Sequence, residues 1–262
     1  DSSNNVAVGY QAAVALDGGT DSVYVGYLAG GVGVITGNNN VCVGATAGED
    51  LTSGYSNILL GKAAGLNFTD NASNIVIGHA AMDAATGGEH YNIAIGVNAL
   101  GAENSNAGGC VAIGHLALED QNNSGEVSEN FAVGGYSGRN LTTGNWNTFI
   151  GNYSAGLGVV TGNDNTCLGY GSGTDLTSGA SNILIGKNAG ANLTDNNNNI
   201  AIGHNALVAA NTGEHYNVAI GHGAMATETT GADYCVAVGY DALNSQNANV
   251  KNTAIGGLAG DA

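Results

Sequence analysis

Fifteen times along this chain an aliphatic residue is followed by a glycine at a nearly fixed interval. The glycines are Gly9, Gly26, Gly44, Gly61, Gly78, Gly96, Gly114, Gly134, Gly151, Gly169, Gly186, Gly203, Gly221, Gly239 and Gly256. Successive steps are 17 or 18 residues, apart from one step of 20 between Gly114 and Gly134. A short period sustained over a whole chain means one supersecondary unit stacked on itself, each copy touching only its neighbours. It also leaves no unique stretch in which to assemble a lone active site.

With the glycine as position zero, position −1 is aliphatic in every coil. Position −3 is Val, Ile or Phe except at Thr148, Thr166 and Thr253. Residues two apart share one face of a strand, and β-branched types suit that setting. The expectation is a short strand per coil whose −3 and −1 side chains fill an interior. Position −4 is Asn5, Asn40, Asn57, Asn74, Asn92, Asn130, Asn147, Asn165, Asn182, Asn199, Asn217 and Asn252, with Ser22, Cys110 and Cys235 in the other coils. Stacked Asn side chains bond from coil to coil as amide ladders, so this column is structural. Position +3 is Ala or Ser throughout, the mark of a tightly packed corner. A second segment places Leu51, Phe68, Leu141 and Leu193 inward and the threonine after each outward. The pattern predicts an all-β, parallel β-solenoid or β-roll: one array over residues 1–262, with about 15 coils of 17–18 residues. At ~4.8 Å per strand such an array is a rod on the order of 70 Å long.

Position −2 lies between the two expected core positions and should face solvent. Its residues are Ala7, Tyr24, Cys42, Leu59, Val76, Ala94, Ala112, Ala132, Phe149, Cys167, Leu184, Ala201, Ala219, Ala237 and Ala254, none of them charged. A strand apolar on both faces is normally covered on both. An outward stripe of this kind would be a self-association surface, most simply in a three-fold bundle. The other reading is a larger coil cross-section that folds the stripe inside.

A longer period is superposed on the short one. The stretch SNILLGKAAG at 56–65 returns as SNILIGKNAG at 181–190, and GEHYNIAIG at 88–96 returns as GEHYNVAIG at 213–221. The seven-coil block 5–129 is thus duplicated at 130–254, and a further copy begins over 252–262. Neither end carries a polar capping element, which suggests a segment of a longer fibre or ends that stack on other chains.

Four basic against 21 acidic residues give a net charge of −17, which argues against nucleic acid or anionic lipid as a partner. The apolar runs are too short for membrane insertion. The cysteines fall in separate coils, the nearest pair roughly 14 Å apart at strand spacing, so no intrachain disulfide is expected. His79, His115, His204 and His222 all follow the glycine directly; without a carboxylate column they make a poor metal site. Asp50, Asp70, Glu89 and Glu103 recur as Asp175, Asp195, Glu214 and Glu228. Calcium in turns is one reading of them, and Asp or Asn satisfying turn amides is the favoured one. No cofactor is expected, and no nucleophile elbow, phosphate loop or Cys-x-x-Cys occurs. Sequons at Asn67, Asn71, Asn122, Asn140, Asn152 and Asn192 are what an Asn-rich chain generates by chance.

The strand cores NVAVG, NIAIG, NVAIG and NTAIG, each followed by x-x-Ala, resemble the head repeats of trimeric autotransporter adhesins (YadA-like heads) and related phage tail-fibre repeats. The resemblance spans all fifteen coils through a short motif. It implies a left-handed parallel β-roll assembled as a homotrimer that binds surfaces rather than catalyses. The coil here is a few residues longer than the adhesin repeat, and the resemblance does not extend to a neck, stalk or anchor. The expected role is a non-enzymatic structural and attachment fibre segment, extracellular, at a cell surface or on a virion. Loops such as 83–91 and 119–129 would meet a host surface or glycan. One alternative is a self-stacking, end-to-end filament subunit. Another is an ice-binding solenoid, for which the threonine column Thr36, Thr52, Thr69, Thr161, Thr177, Thr194 and Thr212 is irregular. A solenoid polysaccharide lyase would need basic groups clustered in one groove, which four basic residues can hardly supply.

Overall fold

The computed structural model of the chain describes residues 2–102, 108–122, 128–210, 213–227, 232–245 and 251–261. It is an all-β, parallel β-solenoid, and every strand is three residues long, spanning positions −3 to −1 of its coil. The chain divides into two compact units, Asp1–Asn130 and Phe131–Ala262. The first holds β1 (Val6–Val8), β2 (Val23–Val25), β3 (Val41–Val43), β4 (Ile58–Leu60), β5 (Ile75–Ile77), β6 (Ile93–Ile95) and β7 (Val111–Ile113). The second holds β8 (Phe131–Val133), β9 (Thr148–Ile150), β10 (Thr166–Leu168), β11 (Ile183–Ile185), β12 (Ile200–Ile202), β13 (Val218–Ile220), β14 (Val236–Val238) and β15 (Thr253–Ile255). Within each unit every strand pairs in parallel with its sequence neighbour, and like positions face like positions, as Val76 faces Ala94 in the first and Ala201 faces Ala219 in the second.

The asparagine column stitches the coils together. Asn40 Oδ1 accepts from the backbone N–H of Asn57 at 3.0 Å and from its side-chain amide at 3.1 Å. The Asn40 amide donates onward to the Gly54 carbonyl in the next coil at 2.8 Å. The same pattern repeats through Asn57 and Asn74, and in the second unit through Asn147, Asn165, Asn182 and Asn199. A buried amide demands this many partners, and an in-register stack of identical coils supplies them. At Cys110 and Cys235 the backbone N–H still donates to the preceding Asn, at 2.9 Å in both.

The zero-position glycines hold φ between +128° and +144° over most of their column, and a Cβ on Gly78 would lie 2.2 Å from the Gly96 carbonyl oxygen. Both facts exclude any side chain there. The turns on either side use left-handed residues at positions −5, +2 and +4, many of them not glycine, such as Tyr216, Leu116 and Leu100. The +3 corner is buried between the outermost coils, for example at Ala64, Ala99, Ser154 and Ala206, and half-buried at Ala12 and Ala259.

The interior is the reverse of the sequence expectation. In β2 to β14 the central, −2, residue is buried, while both flanking residues are half-buried or exposed. Tyr24, Cys42, Leu59, Val76, Ala94, Ala112, Ala132, Phe149, Cys167, Leu184, Ala201, Ala219 and Ala237 are core, so the −2 stripe is no self-association surface. Ala7 is exposed and Ala254 half-buried, each in the outermost strand of its unit.

The reason lies across the coil at position +4. Tyr24, Leu59 and Leu184 face Gly30, Gly65 and Gly190, whereas Ala94, Ala112, Ala201, Ala219 and Ala237 are matched with Leu100, Leu118, Leu207, Met225 and Leu243. A Cβ on Gly30 would lie 2.5 Å from the Tyr24 ring, and one on Gly190 would lie 2.7 Å from Leu184 Cδ2. In these coils a large residue at one position is set against a small one at the other, so the narrow core of each unit is filled from two sides, as close packing requires. Ala7 with Ala13, Ala132 with Gly138 and Ala254 with Gly260 are small on both sides, and Val76 with Met82 is large on both.

Candidate functional surface: the outer strand face

Alternation fixes what the outside presents. Positions −3 and −1 form two adjacent outward columns, aliphatic but for Phe131 and the three threonines, and no charged residue occupies either column. Several of these side chains are well exposed: Val8 by 57 %, Ile58 by 41 %, Leu60 by 43 % and Leu168 by 41 %. The chain carries 21 carboxylates and places none of them on this face. Its flanks are positions −5 and +1, which share the same outward phase.

The +1 column holds Tyr10, Tyr27, Lys62, His79, His115, Tyr170, Lys187, His204, His222 and Tyr240, and no acidic residue. Parallel stacking sets identical positions about one strand spacing apart, so the rings pile on one another. Tyr10 and Tyr27 stack at 5.6 Å, His204 and His222 lie 5.0 Å apart, and His222 and Tyr240 stack at 5.3 Å. On the −5 side Tyr216 and Tyr234 stack at 4.9 Å, and Lys251 Nζ sits 4.8 Å from the Tyr234 ring centre. Tyr136 and Tyr153, at position +2, stack at 4.9 Å. Because the ring faces cover each other along the column, solvent meets their edges and hydroxyls.

Elsewhere the polar candidates take structural roles. Buried Glu89 accepts from the Asn71 amide and from the Gly87 N–H, and buried Glu214 accepts from the Asn196 amide at 2.6 Å. Asp70 accepts from the Gly88 N–H at 2.9 Å. These are turn amides satisfied by acidic side chains. Glu103, Glu228 and Thr212 lie outside the described residues, as does 123–127 of the loop 119–129. The Thr52 and Thr177 hydroxyls donate to the Thr69 and Thr194 carbonyls at 3.0 and 2.9 Å. They are therefore bonded within the coil stack.

His79, Asp83, Asn98, Glu119 and Asp120 line an open hollow of about 430 Å³ beside the loop 83–91. Partial burial pushes the Asp83 carboxyl above its usual range, against the pull of its own backbone N–H and of His79. His222 Nδ1 approaches Asp241 Oδ1 at 3.8 Å. Among the described residues no three His, Cys, Asp or Glu side chains group to hold a metal ion. No described helix is long and apolar enough to cross a membrane.

All four cysteines are free and buried. Burial pushes the Cys42 thiol up to about 12 and raises that of Cys167 further. Tyr24 is likewise raised to about 12, chiefly by burial and against the pull of Ser22 and Asn40 beside its hydroxyl, which makes no hydrogen bond of good geometry.

Sequence reasoning missed the outer face because it placed these columns inside. The size complementarity between positions −2 and +4 was the signal that could have found it. No family model, no curated protein and no solved structure matches this chain.

Proposed function

We propose that this chain is a non-enzymatic structural and attachment segment of an extracellular, cell-surface or virion fibre. The observation that carries the proposal is the coil-to-coil asparagine stitch. It commits the buried amide of nearly every coil to holding the next coil in register. Such a stack is a stiff spacer whose length scales with the number of repeats. The net charge of −17 supports solubility in a crowded, salty exterior and does not favour polyanionic partners. Contacts to a host surface or glycan belong to the loops between coils, where the hollow beside 83–91 offers one concave site.

Electron microscopy of the purified chain tests the reading. Discrete elongated particles are expected. Isotropic globular particles would contradict a spacer, and filaments of indefinite length would favour end-to-end stacking instead.

A further inference from the structure

We infer that two stacked tyrosine pairs, Tyr10 with Tyr27 and Tyr216 with Tyr234, are sites of oxidative modification. Each closes a dityrosine link between adjacent coils of one chain. The oxidant is of the class of a haem peroxidase with hydrogen peroxide. The inference rests on ring geometry inside each unit and is independent of the spacer reading above.

Three observations carry it. The first is placement. Each pair holds one position of two adjacent coils, +1 for Tyr10 and Tyr27 and −5 for Tyr216 and Tyr234. The ring planes lie within 8° at a centroid distance of 5.6 Å in the first pair, and within 5° at 4.9 Å in the second. Phenoxyl radicals join through their ring faces at the ortho carbons, and a parallel stack presents those faces to each other. Parallel coils already set the two backbones about one strand spacing apart, ~4.8 Å, so rotation of the side chains closes the bond. Holding both rings in one stack turns an encounter between molecules into a step within one.

The second is access. All four rings are at least half exposed, from 50 % at Tyr216 to 67 % at Tyr10, so an oxidant excluded from the core reaches them.

The third is the placing of sulfur. Cysteine and methionine are the side chains that compete for oxidants, yet all four cysteines and both methionines are buried. The phenols are therefore left outside as acceptable electron donors. Tyr136 and Tyr153 also stack, but they are half-buried, with the Arg139 guanidinium 5.7 Å from the Tyr136 ring centre. A cation over a ring opposes removal of an electron from it. Lys251 stands over Tyr234 in the same way, so Tyr10 and Tyr27 should couple first.

The step balances. Each phenol gives one electron to the oxidant and releases its hydroxyl proton. The two radicals form one carbon–carbon bond between ortho carbons, and the hydrogens on those carbons move to the oxygens as the rings regain aromaticity. Two phenols and one hydrogen peroxide give one link and two waters.

Treatment of the dilute full chain with a haem peroxidase and hydrogen peroxide tests the proposal. Dityrosine fluorescence should appear on a chain that keeps its single-chain mass, less two hydrogens per link. Digestion at acidic residues and arginine should then yield linked peptides for Tyr10–Tyr27 first and Tyr216–Tyr234 later. Tyr27→Phe and Tyr234→Phe keep a ring in the stack, so each should abolish its own link and leave the other. Tyr55 and Tyr91, exposed by 52 % and 71 %, have no tyrosine at their position in the neighbouring coils and serve as controls. Failure of either pair to couple in the folded chain overturns its assignment. Links formed only between chains, links carried by Tyr55 and Tyr91 instead, or equal yields of the same pairs in urea would overturn the inference as a whole.

Discussion

Glycine at position zero answers two demands at once, and a neighbouring contrast separates them. Gly78→Ala must place a Cβ 2.2 Å from the Gly96 carbonyl oxygen at φ +144°, so the coils have to part. Gly18 also has positive φ, +89°, but nothing within 4 Å of a Cβ. Gly18→Ala should cost only about 1–2 kcal/mol for the left-handed backbone. Gly78→Ala should exceed that by at least ~2 kcal/mol, since overpacking against backbone adds to it. Urea unfolding of the two variants gives the difference directly. The asparagine stitch makes a comparable demand. Asn182→Ala deletes the acceptor for the Asn199 N–H and the donor to the Asn196 carbonyl, leaving both buried groups unpaired. A loss of about 2–4 kcal/mol is expected in the same assay. Tyr24→Phe runs the other way: it removes a buried hydroxyl that makes no hydrogen bond of good geometry, so the melting temperature should hold or rise.

At the scale of the strand, adjacent residues should behave oppositely. Leu184 is fully buried and Ile183 is 39 % exposed, although both are aliphatic and one bond apart in the same element. Leu184→Ala should cost about 2–5 kcal/mol, and Ile183→Ala well under half of that in the unassociated chain. The pairing with position +4 makes the sharper test. Gly190→Leu alone overfills the core, because a Cβ there already meets Leu184. The double variant Leu184→Ala, Gly190→Leu removes the clash with Leu184 but leaves Leu193 Cδ1 2.6 Å from the added Cβ, so it should recover part of the loss. A coupling of about 1–3 kcal/mol in the double-mutant cycle is the expected reading.

The same pairing marks the limit of what could be read from the chain. Strand positions, parallel register, the asparagine column and the buried +3 corner follow directly from periodicity. Which face points inward does not, because alternation tells two faces apart without saying which is inside. Here both faces are apolar, so hydrophobicity could not break the tie. Side-chain volume could: alanine at Ala94 with Leu100, against Leu59 with Gly65, is a core being filled. The left-handed turns were hidden for another reason. Residues such as Leu116, Tyr153 and Tyr216 adopt positive φ without being glycine, held there by stacking rather than by propensity.

For the whole molecule, the division at Asn130 falls beside the junction of the duplicated blocks, so each compact unit carries one copy of the seven-coil pattern. A net charge of −17 opposes association of like chains, while an uncharged apolar face favours it. Salt screens the first and leaves the second, so association should strengthen between 50 mM and 500 mM NaCl. Weakening over that range would point to ionic contacts in place of the aliphatic columns.

The inward −2 column is the claim on which the core and the outer face both depend, and native thiol titration reaches it most directly. Cys42 and Cys167 occupy that column, both fully buried, with Cys42 pushed up to about 12 by burial. At sub-micromolar protein and pH 8, an aromatic disulfide reagent should modify none of the four cysteines until denaturant is added, when all four react. Rapid modification of two thiols in the folded chain, mapped to Cys42 and Cys167, would place the −2 column outside and contradict the account.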